Sequence, residues 1–329
     1  MIRCTGFAAS EWGVAVASTA MTLRLEGIHH VTAITGNAPR NVDFYTRVLG
    51  LRLVKKTVNQ DDPTVYHLFY ADEAGSPGSD LTFFEYPGAR PGRPGAGMVH
   101  TVVSRVASAQ ALTFWEERLA CEGIVCERAA TWLRFADPDG LGHELTVSAA
   151  ADAPLFAEHP EVPAAYALQG FDAVRAYAVD PERSRDFLEQ TLHFAPTGPA
   201  AWEARGRERG CLYSYDPPPA APAAPGAGTV HHVAWSSTMV DHEVWQEAVT
   251  VAGLRPTPVI DRFWFRSVYI REPSGVLFEI ATMGPGFTTD EPLKHLGESL
   301  VLPPAFEHLR ARIEPALTPL PDPRQRATA

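Results

Sequence analysis

Two segments of the chain, about two hundred positions apart, each contain two adjacent histidines within a run of apolar residues. One pair is His29 and His30, and the other is His231 and His232. The second copy ends in an apolar run that carries one carboxylate, Glu279. Two imidazoles and one carboxylate on separate strands form the facial ligand set that holds non-haem Fe(II) and leaves coordination positions open. Because the repeat offers both imidazoles to a shared site, the sequence predicts a metalloenzyme.

Only one histidine of each pair can enter a common cleft, because successive residues of a strand point to opposite faces. This alternation groups His30 with Thr32 and His232 with Ala234, but it does not tell which face is the inside. A single strand histidine is more often a hydrogen-bonded residue than a metal ligand. Repetition at equivalent places, together with Glu279, favours ligation here.

The elements that must position these residues repeat four times along the chain. Each unit is predicted to contain an opening strand, an amphipathic helix and two or three further strands. The predicted opening strands are 28–34, 98–103, 171–178 and 230–236. We therefore predict an α+β fold of four βαβββ modules, in which the histidine strands line a half-open cleft.

The four modules are predicted to form two domains with additional segments at both ends. The N-terminal segment is interpreted as a disordered extension and not as a signal peptide, because its apolar stretch is interrupted. A proline-bearing stretch is predicted to link the two halves. The predicted division is an extension at 1–22, a first domain at 23–152, a linker at 153–169, a second domain at 170–285 and a tail at 286–329.

The composition argues against several other functions. The formal net charge of the 329 residues is −11, which disfavours a nucleic-acid-binding surface. No apolar stretch reaches the roughly 20 residues of a membrane span, so no membrane partner is expected. The four cysteines have no spacing typical of structural zinc or of a disulfide framework, and we therefore expect a cytoplasmic protein. The sequence leaves a homo-oligomer open.

Several motifs resemble those of the hydroquinone-type ring-cleaving dioxygenases. This family belongs to the vicinal oxygen chelate superfamily, together with glyoxalases, catechol extradiol dioxygenases and bleomycin-resistance proteins. The matching motifs are His29-His30-Val31-Thr32, residues 66–73 with 75–78, Asp261-Arg262, Ser267-Val268-Tyr269, residues 275–279 and Gly286-Phe287-Thr288. The resemblance covers about 27–317 and implies that the modules form two glyoxalase-like domains.

The resemblance also implies a ligand set and a substrate class. The metal ligands would be His30, His232 and Glu279, with Fe(II) as the metal and Mn, Zn or Ni as alternatives. The substrates would be a small aromatic hydroquinone or catechol and dioxygen. Tyr269 would donate a hydrogen bond to a developing oxyanion, and Arg262 would hold an anionic ring oxygen or a product carboxylate.

Three further residues are predicted to belong to the site. His29 is predicted to be a further catalytic residue, and Thr32 and His231 are predicted to bind substrate. The alternatives are that both histidines lie behind the ligands or against the neighbouring module, and that Thr32 only fills the cleft wall. Arg266 is an alternative to Arg262 as the substrate-binding arginine.

Glu85 leaves a second function open. It stands where the first module is expected to place a counterpart of Glu279, and two histidines with two glutamates are typical of glyoxalase I, which uses Zn or Ni and a glutamate base. Against this, Glu85 precedes a proline and a glycine and is expected to face solvent at a strand end. A non-enzymatic binding protein of the bleomycin-resistance type is a third alternative, which the intact ligand set disfavours. Ring cleavage is the favoured prediction.

A second metal site is not expected. The second module contains one histidine and one glutamate, His100 and Glu144, in a similar pattern. The opening strand of the third module contains no histidine. We therefore expect a single metal site.

Overall fold

The computed structural model describes residues 23–320 and Pro323. The predicted extension at 1–22 lies outside the described residues. Within residues 23–320, the chain forms four consecutive βαβββ modules, as the sequence repeat predicts. None of the helices in this described part is long and apolar enough to cross a membrane.

Each module consists of one opening strand, one helix and three further strands. The first module contains β1 (Ile28–Thr35), α1 (Ala38–Asp43), β2 (Arg52–Asn59), β3 (Asp62–Ala71) and β4 (Asp80–Glu85). The second contains β5 (Val99–Val106), α2 (Ala109–Cys121), β6 (Glu127–Arg128), β7 (Trp132–Ala136) and β8 (Gly142–Val147). The third contains β9 (Phe171–Tyr177), α3 (Glu182–Asp186), β10 (Ala195–Gly198), β11 (Ala201–Arg205) and β12 (Gly210–Asp216). The fourth contains β13 (Val230–Ser237), α4 (His242–Val251), β14 (Ile260–Asp261), β15 (Arg266–Arg271) and β16 (Leu277–Thr282).

Short helical segments complete the chain. Helices α1 and α3 each continue as a π-helical turn, at Phe44–Val48 and Phe187–Thr191. After β16, the tail forms two 3-10 turns (Phe287–Thr289 and Leu293–His295), then α5 (Pro304–Glu307) and α6 (Arg310–Ile313), and a third 3-10 turn at Glu314–Ala316.

Local sequence signals explain where the helices begin. The side chain of Asn37 accepts a hydrogen bond from the backbone N–H of Arg40 at 2.9 Å, and Pro39 occupies the first turn of α1. Ser108 caps α2 in the same way, accepting from the N–H of Ala111 at 3.2 Å. These caps fix the point at which the chain leaves each opening strand.

The strands form two eight-stranded sheets. In the first sheet, the order β14-β15-β16-β13-β1-β4-β3-β2 joins the fourth module to the first. The second sheet, β10-β11-β12-β9-β5-β8-β7-β6, joins the third module to the second. The predicted domains at 23–152 and 170–285 instead grouped consecutive modules, so the sheets do not follow those boundaries. The opening strands are alike in pattern, and pattern alone does not tell which of them pair.

The two faces of the first sheet have different environments. Val31 and Val233, which alternate with the ligand candidates along β1 and β13, belong to the hydrophobic core together with Val42 of the first helical segment and Trp245 of α4. The helices therefore cover this apolar face. The opposite face carries His30 and the other polar residues of the cleft, as period-two alternation requires.

The C-terminal tail is anchored to the first sheet by a buried lysine. Lys55 on β2 is 0% exposed, and its ammonium group contacts Asp290 at 2.8 Å and also Glu291. Asp290 accepts a hydrogen bond from the indole of Trp264 at 3.0 Å. The tail thereby braces Trp264, whose ring reaches the cleft of the first sheet.

Candidate active site

Three strands of the first sheet bring His30, His232 and Glu279 together. The Nε2 atoms of the two histidines are 3.2 Å apart. Glu279 Oε2 lies 2.9 Å from His232 Nε2 and 3.3 Å from His30 Nε2. All three side chains are buried, with exposures of 1%, 3% and 0% in the order His30, His232, Glu279. Within the described ranges, they are the one group of three His, Cys, Asp or Glu residues whose donor atoms could share an ion.

The spacing of these donor atoms fits a divalent cation. Ligands at about 2.1 Å from an ion and at right angles to each other are about 3 Å apart, which is the separation of the three atoms here. Glu279 Oε2 is a buried oxygen without a hydrogen-bond partner among the described residues. The other carboxylate oxygen, Oε1, accepts a hydrogen bond from Ser267 Oγ at 2.5 Å. Ser267 therefore orients the carboxylate and leaves Oε2 free for a cation.

The electrostatics of the cluster favour the protonation states that a metal requires. Burial alone would raise the pKa of Glu279, but His30 and His232 hold it well below its ordinary value. Burial lowers the pKa of His232 and outweighs the opposing effect of Glu279. A carboxylate beside a neutral imidazole is the form that binds a cation.

His29 lies behind His30 and fixes its tautomer. His29 Nε2 is 3.2 Å from the carbonyl oxygen of Thr282, which only accepts, so Nε2 carries the proton. Burial and the neighbouring His30 lower the pKa of His29 to about 3, so its ring is neutral and Nδ1 accepts. His30 Nδ1, at 2.9 Å, must then donate, which leaves the lone pair of His30 Nε2 directed at the cluster. His29 does not line the cleft, so the predicted direct catalytic contact gives way to its alternative place behind the ligand.

His231 holds the second ligand in a similar way but faces outward. Its Nδ1 lies 2.8 Å from His232 Nδ1. Donation from His232 Nδ1 would leave His232 Nε2 free for a cation. Unlike His29, His231 lines the cleft and is only partly buried. Burial and the neighbouring His232 lower its pKa to about 4.

The three donor atoms open onto a cavity of about 380 Å³. This volume is at the small end of the roughly 300–1,000 Å³ range of ligand pockets and suits a single ring. Its aromatic lining consists of Phe69, Phe84, Tyr86, Trp264, Phe265 and Tyr269. Phe265 packs against His30, with ring centroids 5.3 Å apart, and completes the wall beside the ligands.

Tyr269 and Arg262 both reach this cavity, whereas Arg266 is exposed and does not line it. Burial and the charge of Glu279 raise the pKa of Tyr269, so its hydroxyl stays protonated and can donate. The Arg262 guanidinium lies 5.5 Å from the centre of the Tyr269 ring. It also donates two hydrogen bonds to Asp61, at 3.1 and 2.9 Å, which tie the fourth module to the turn between β2 and β3.

Thr32 is buried and does not line the cavity. Its hydroxyl lies 2.7 Å from the hydroxyl of Thr82 on β4. The prediction that it binds substrate gives way to the alternative that it fills the wall.

Two expectations about Glu85 were wrong. In β1 and β13, the opening strands of modules one and four, Thr32 pairs with Thr82, and Ala234, at the same position of the repeat, pairs with Glu279. Thr82 is therefore the counterpart of Glu279, and Glu85 lies three residues further along β4. Glu85 is also 2% exposed and does not face solvent. It accepts hydrogen bonds from the N–H of Ala38 at 2.9 Å and from the hydroxyl of Thr318 at 3.1 Å.

The sequence-based site omitted one residue of the cavity, His67 on β3. Its ring lines the cavity, and its Nε2 lies 2.9 Å from Thr82 Oγ1. The signal was present, because His67 belongs to one of the motifs that carry the family resemblance. It was missed because His67 has no histidine counterpart in the other modules.

The equivalent cleft of the second sheet contains only one of the three donor residues. The pairing of β5 with β8 and β9 shows which residues of the second sheet are equivalent to the ligands. Thr101 corresponds to His232, Ala173 to His30 and Glu144 to Glu279. The remaining carboxylate is neutralised by Arg134 at 2.6 Å and Arg175 at 3.2 Å. Guanidinium groups thus occupy the place of a cation, in keeping with a single site.

Comparison with known proteins agrees with the fold. Residues 27–145 match the Glyoxalase/Bleomycin resistance protein/Dioxygenase superfamily. MhqO of Bacillus subtilis, which carries the name ring-cleaving dioxygenase, is 38% identical over 307 residues, 91% of this chain and 98% of MhqO. A chlorohydroquinone/hydroquinone 1,2-dioxygenase of Sphingobium indicum is 34% identical over 306 residues, 87% of this chain and 94% of that enzyme.

A solved structure extends the similarity to three dimensions. The crystal structure of a Bacillus subtilis protein described as a dioxygenase superposes with a TM-score of 0.85 at 37% identity, covering 91% of this chain and 98% of that one. The βαβββ modules, the buried donor set and these near full-length similarities lead to one assignment. The chain belongs to the Glyoxalase/Bleomycin resistance protein/Dioxygenase superfamily and, within it, to the ring-cleaving dioxygenases that include MhqO.

Proposed function

We propose that this dioxygenase opens the ring of a small hydroquinone or catechol with dioxygen, at Fe(II) held by His30, His232 and Glu279. The observation that carries the proposal is the cluster of three buried donor atoms, 2.9–3.3 Å apart, at one side of a ring-sized cavity. Two imidazoles and one carboxylate with open positions are typical of non-haem Fe(II) oxygenases, which favours Fe(II) over Mn, Zn or Ni. When bound, Fe(II) would offer open coordination positions to a ring oxygen and to dioxygen, and it would allow electron transfer from the ring to dioxygen.

The protein side chains prepare the site for this chemistry. His29 and Ser267 orient His30 and Glu279, so the ligand lone pairs are aligned before any ion binds. Phe265 and Trp264 exclude water from one wall and offer flat apolar surfaces to a planar ring. A deprotonated ring oxygen is then held in a site of low dielectric constant.

Tyr269 and Arg262 are proposed to act on the substrate directly. The protonated Tyr269 hydroxyl would donate to the oxyanion that develops as dioxygen attacks the ring. Arg262, held in place by Asp61, would attract an anionic ring oxygen or the carboxylate produced by ring opening. His231 lines the same cavity and is proposed to hydrogen-bond the substrate through Nε2.

The glyoxalase I alternative lacks support at its fourth ligand. That reading needs a second carboxylate in the first module, but the register gives Thr82 at that position. Glu85 is bound to Ala38 and Thr318 instead. The intact donor set also disfavours a binding protein without a metal.

Dioxygen uptake tests the proposal. Protein prepared without dioxygen and loaded with Fe(II) should consume dioxygen in proportion to added hydroquinone or catechol. With labelled dioxygen, both oxygen atoms should appear in the ring-opened product. Protein loaded with Zn(II) is the control and should show no uptake. Isomerisation of a thiol hemithioacetal, without uptake for any dihydroxybenzene, would contradict the proposal and favour the glyoxalase.

The cellular location and the assembly are also proposals. Cys121, Cys126 and Cys211 are free thiols, which suits the reducing cytoplasm that we propose. A homo-oligomer stays a prediction.

A further inference from the structure

The three candidate ligands occupy three corners of a nearly two-fold arrangement. His30 corresponds to His232 across the β1–β13 pair, and Glu279 corresponds to Thr82. The fourth corner therefore contains the hydroxyl of Thr82, whose oxygen lacks the charge of a carboxylate. An ion held by the other three residues would meet no anionic ligand at this corner, which we call the open side of the site.

His67, on the neighbouring strand β3, contacts Thr82 at this fourth corner. Its position on β3, opposite Phe84, corresponds to that of Ser267 on β15, opposite Ala281. Ser267 bonds to Glu279 at 2.5 Å, and His67 bonds to Thr82 at 2.9 Å. The two residues thus support equivalent corners of the site.

The His67 ring is held firmly by its neighbours. It packs between Phe69, at a centroid distance of 3.9 Å, and Phe84, at 4.5 Å. Burial holds the pKa of His67 well below its ordinary value, so the ring is neutral. A neutral imidazole has one donor and one acceptor nitrogen.

The hydrogen-bond chain decides which nitrogen of His67 donates. Thr32 is 0% exposed, and over the described residues its hydroxyl bonds to Thr82 alone. A buried hydroxyl without an acceptor is costly, so Thr32 donates to Thr82 and Thr82 donates to His67 Nε2. The proton of His67 is then on Nδ1, which has no hydrogen-bond partner among the described residues, and His67 lines the cavity. Nδ1–H is available to a molecule in the cavity.

We propose that His67 is a further substrate-contacting residue, which donates Nδ1–H to an anionic oxygen bound on the open side of the site. That oxygen belongs either to the deprotonated ring of the aromatic substrate or to dioxygen after the electron-rich ring has passed charge to it. In both cases the acceptor is a negatively charged oxygen. The inference rests on the proposed function. It adds a residue from the first module, on β3, whereas Tyr269 and Glu279 come from β15 and β16 of the fourth module. Thr82 and Thr32 act as positioning residues for this donor.

Substrate binding in the absence of turnover tests this role. Zn(II)-loaded wild-type protein and the His67→Phe and His67→Gln variants are titrated with hydroquinone or catechol by calorimetry, after metal content and Tm are measured. His67→Phe retains an aromatic ring between Phe69 and Phe84 but has no donor, whereas His67→Gln retains an N–H donor. The control is His308→Gln, at an exposed residue of the tail.

A ring oxygen as acceptor predicts that His67→Phe raises the Kd about tenfold or more at unchanged metal content, and that His67→Gln raises it less. Dioxygen as acceptor predicts an unchanged Kd and a similar rise in the KM for dioxygen of the Fe(II) protein. Thr82→Val should raise whichever of the two constants His67→Phe raises, the Kd of the dihydroxybenzene or the KM for dioxygen. Thr82→Ser, which keeps the hydroxyl, should give the wild-type value.

The role of His67 is overturned if His67→Phe matches wild type in both quantities, or if the variant loses its metal. If His67→Phe does not fold, His67→Gln and Thr82→Val decide, and wild-type values in both overturn the role. Failure of the proposed function looks different, because wild-type protein itself would then bind no dihydroxybenzene.

Discussion

Thr82 and Glu279 occupy equivalent positions in the two halves of one sheet, and Glu279 alone offers a carboxylate to the cluster. With threonine at this position of the first module, the cluster has three protein ligands, whereas a glutamate there would supply a fourth. A site with three protein ligands keeps positions for two substrates, whereas a fourth carboxylate would occupy one of them.

Thr82→Glu should therefore close the open side of the site. We expect metal to be retained, because a second carboxylate adds an anionic ligand, while hydroquinone-dependent dioxygen uptake falls by at least about tenfold. Metal analysis and an oxygen electrode measure the two effects. Thr82→Gln is the matched neutral control and should bind metal no more tightly than wild type. Full uptake by Thr82→Glu would show that the open side lies elsewhere.

Glu85 should matter for stability and not for the metal. Glu85→Ala removes the acceptor of the Ala38 N–H and of the Thr318 hydroxyl, and we expect a loss of about 1–3 kcal/mol in the free energy of unfolding. Glu85→Gln keeps an acceptor oxygen and should cost less. Denaturant unfolding and metal analysis test both variants, and loss of metal in Glu85→Gln would revive the four-ligand interpretation.

Tyr269→Phe should retain the metal and slow turnover. Removal of a donor to a developing oxyanion reduces rates by on the order of a hundredfold to a thousandfold at other enzyme sites. We expect the decrease in kcat and not in metal content, measured on Fe(II)-loaded protein. An unchanged kcat would assign Tyr269 to the cavity wall only.

Lys55 should be the main anchor of the tail. Lys55→Met leaves Asp290 and Glu291 without their buried cation, and breaking a buried ion pair costs about 3–5 kcal/mol. The free energy of unfolding from denaturant titration should fall by this amount, and the fluorescence of Trp264 should change because Asp290 no longer holds its indole. Arg266→Met, at an exposed arginine, is the control and should stay within about 0.5 kcal/mol of wild type. Equal stability of both variants would mean that the tail is held by other contacts.

The four repeated units of strands and a helix were sufficient to predict the fold class, and the repeated His-His motif indicated the cluster. Each copy lies in a strand, and strand alternation places a single histidine of each copy on the polar face, so His30 and His232 could meet. The pairing of the first module with the fourth was not readable, because the four opening strands share one hydrophobic pattern.

The errors at Glu85 and His67 have a common origin in strand register. Glu85 was expected to be the counterpart of Glu279, but the pairing of β4 with β1 gives that position to Thr82. His67 reaches the cavity through the pairing of β3 with β4, a contact between strands that local sequence does not specify. His29 was misplaced for a related reason, since its partner is the backbone carbonyl of Thr282 on a distant strand.

Metal stoichiometry of the ligand variants tests the central claim most directly. Wild-type protein purified without chelator, and its His30→Ala, His232→Ala and Glu279→Gln variants, are compared by elemental analysis, with His308→Gln as the control and Tm as the check of folding. We predict about one iron per chain for wild type and control, and loss of most of it in each ligand variant, because each removes one of three donors. Folded ligand variants that keep the wild-type metal content would contradict the account.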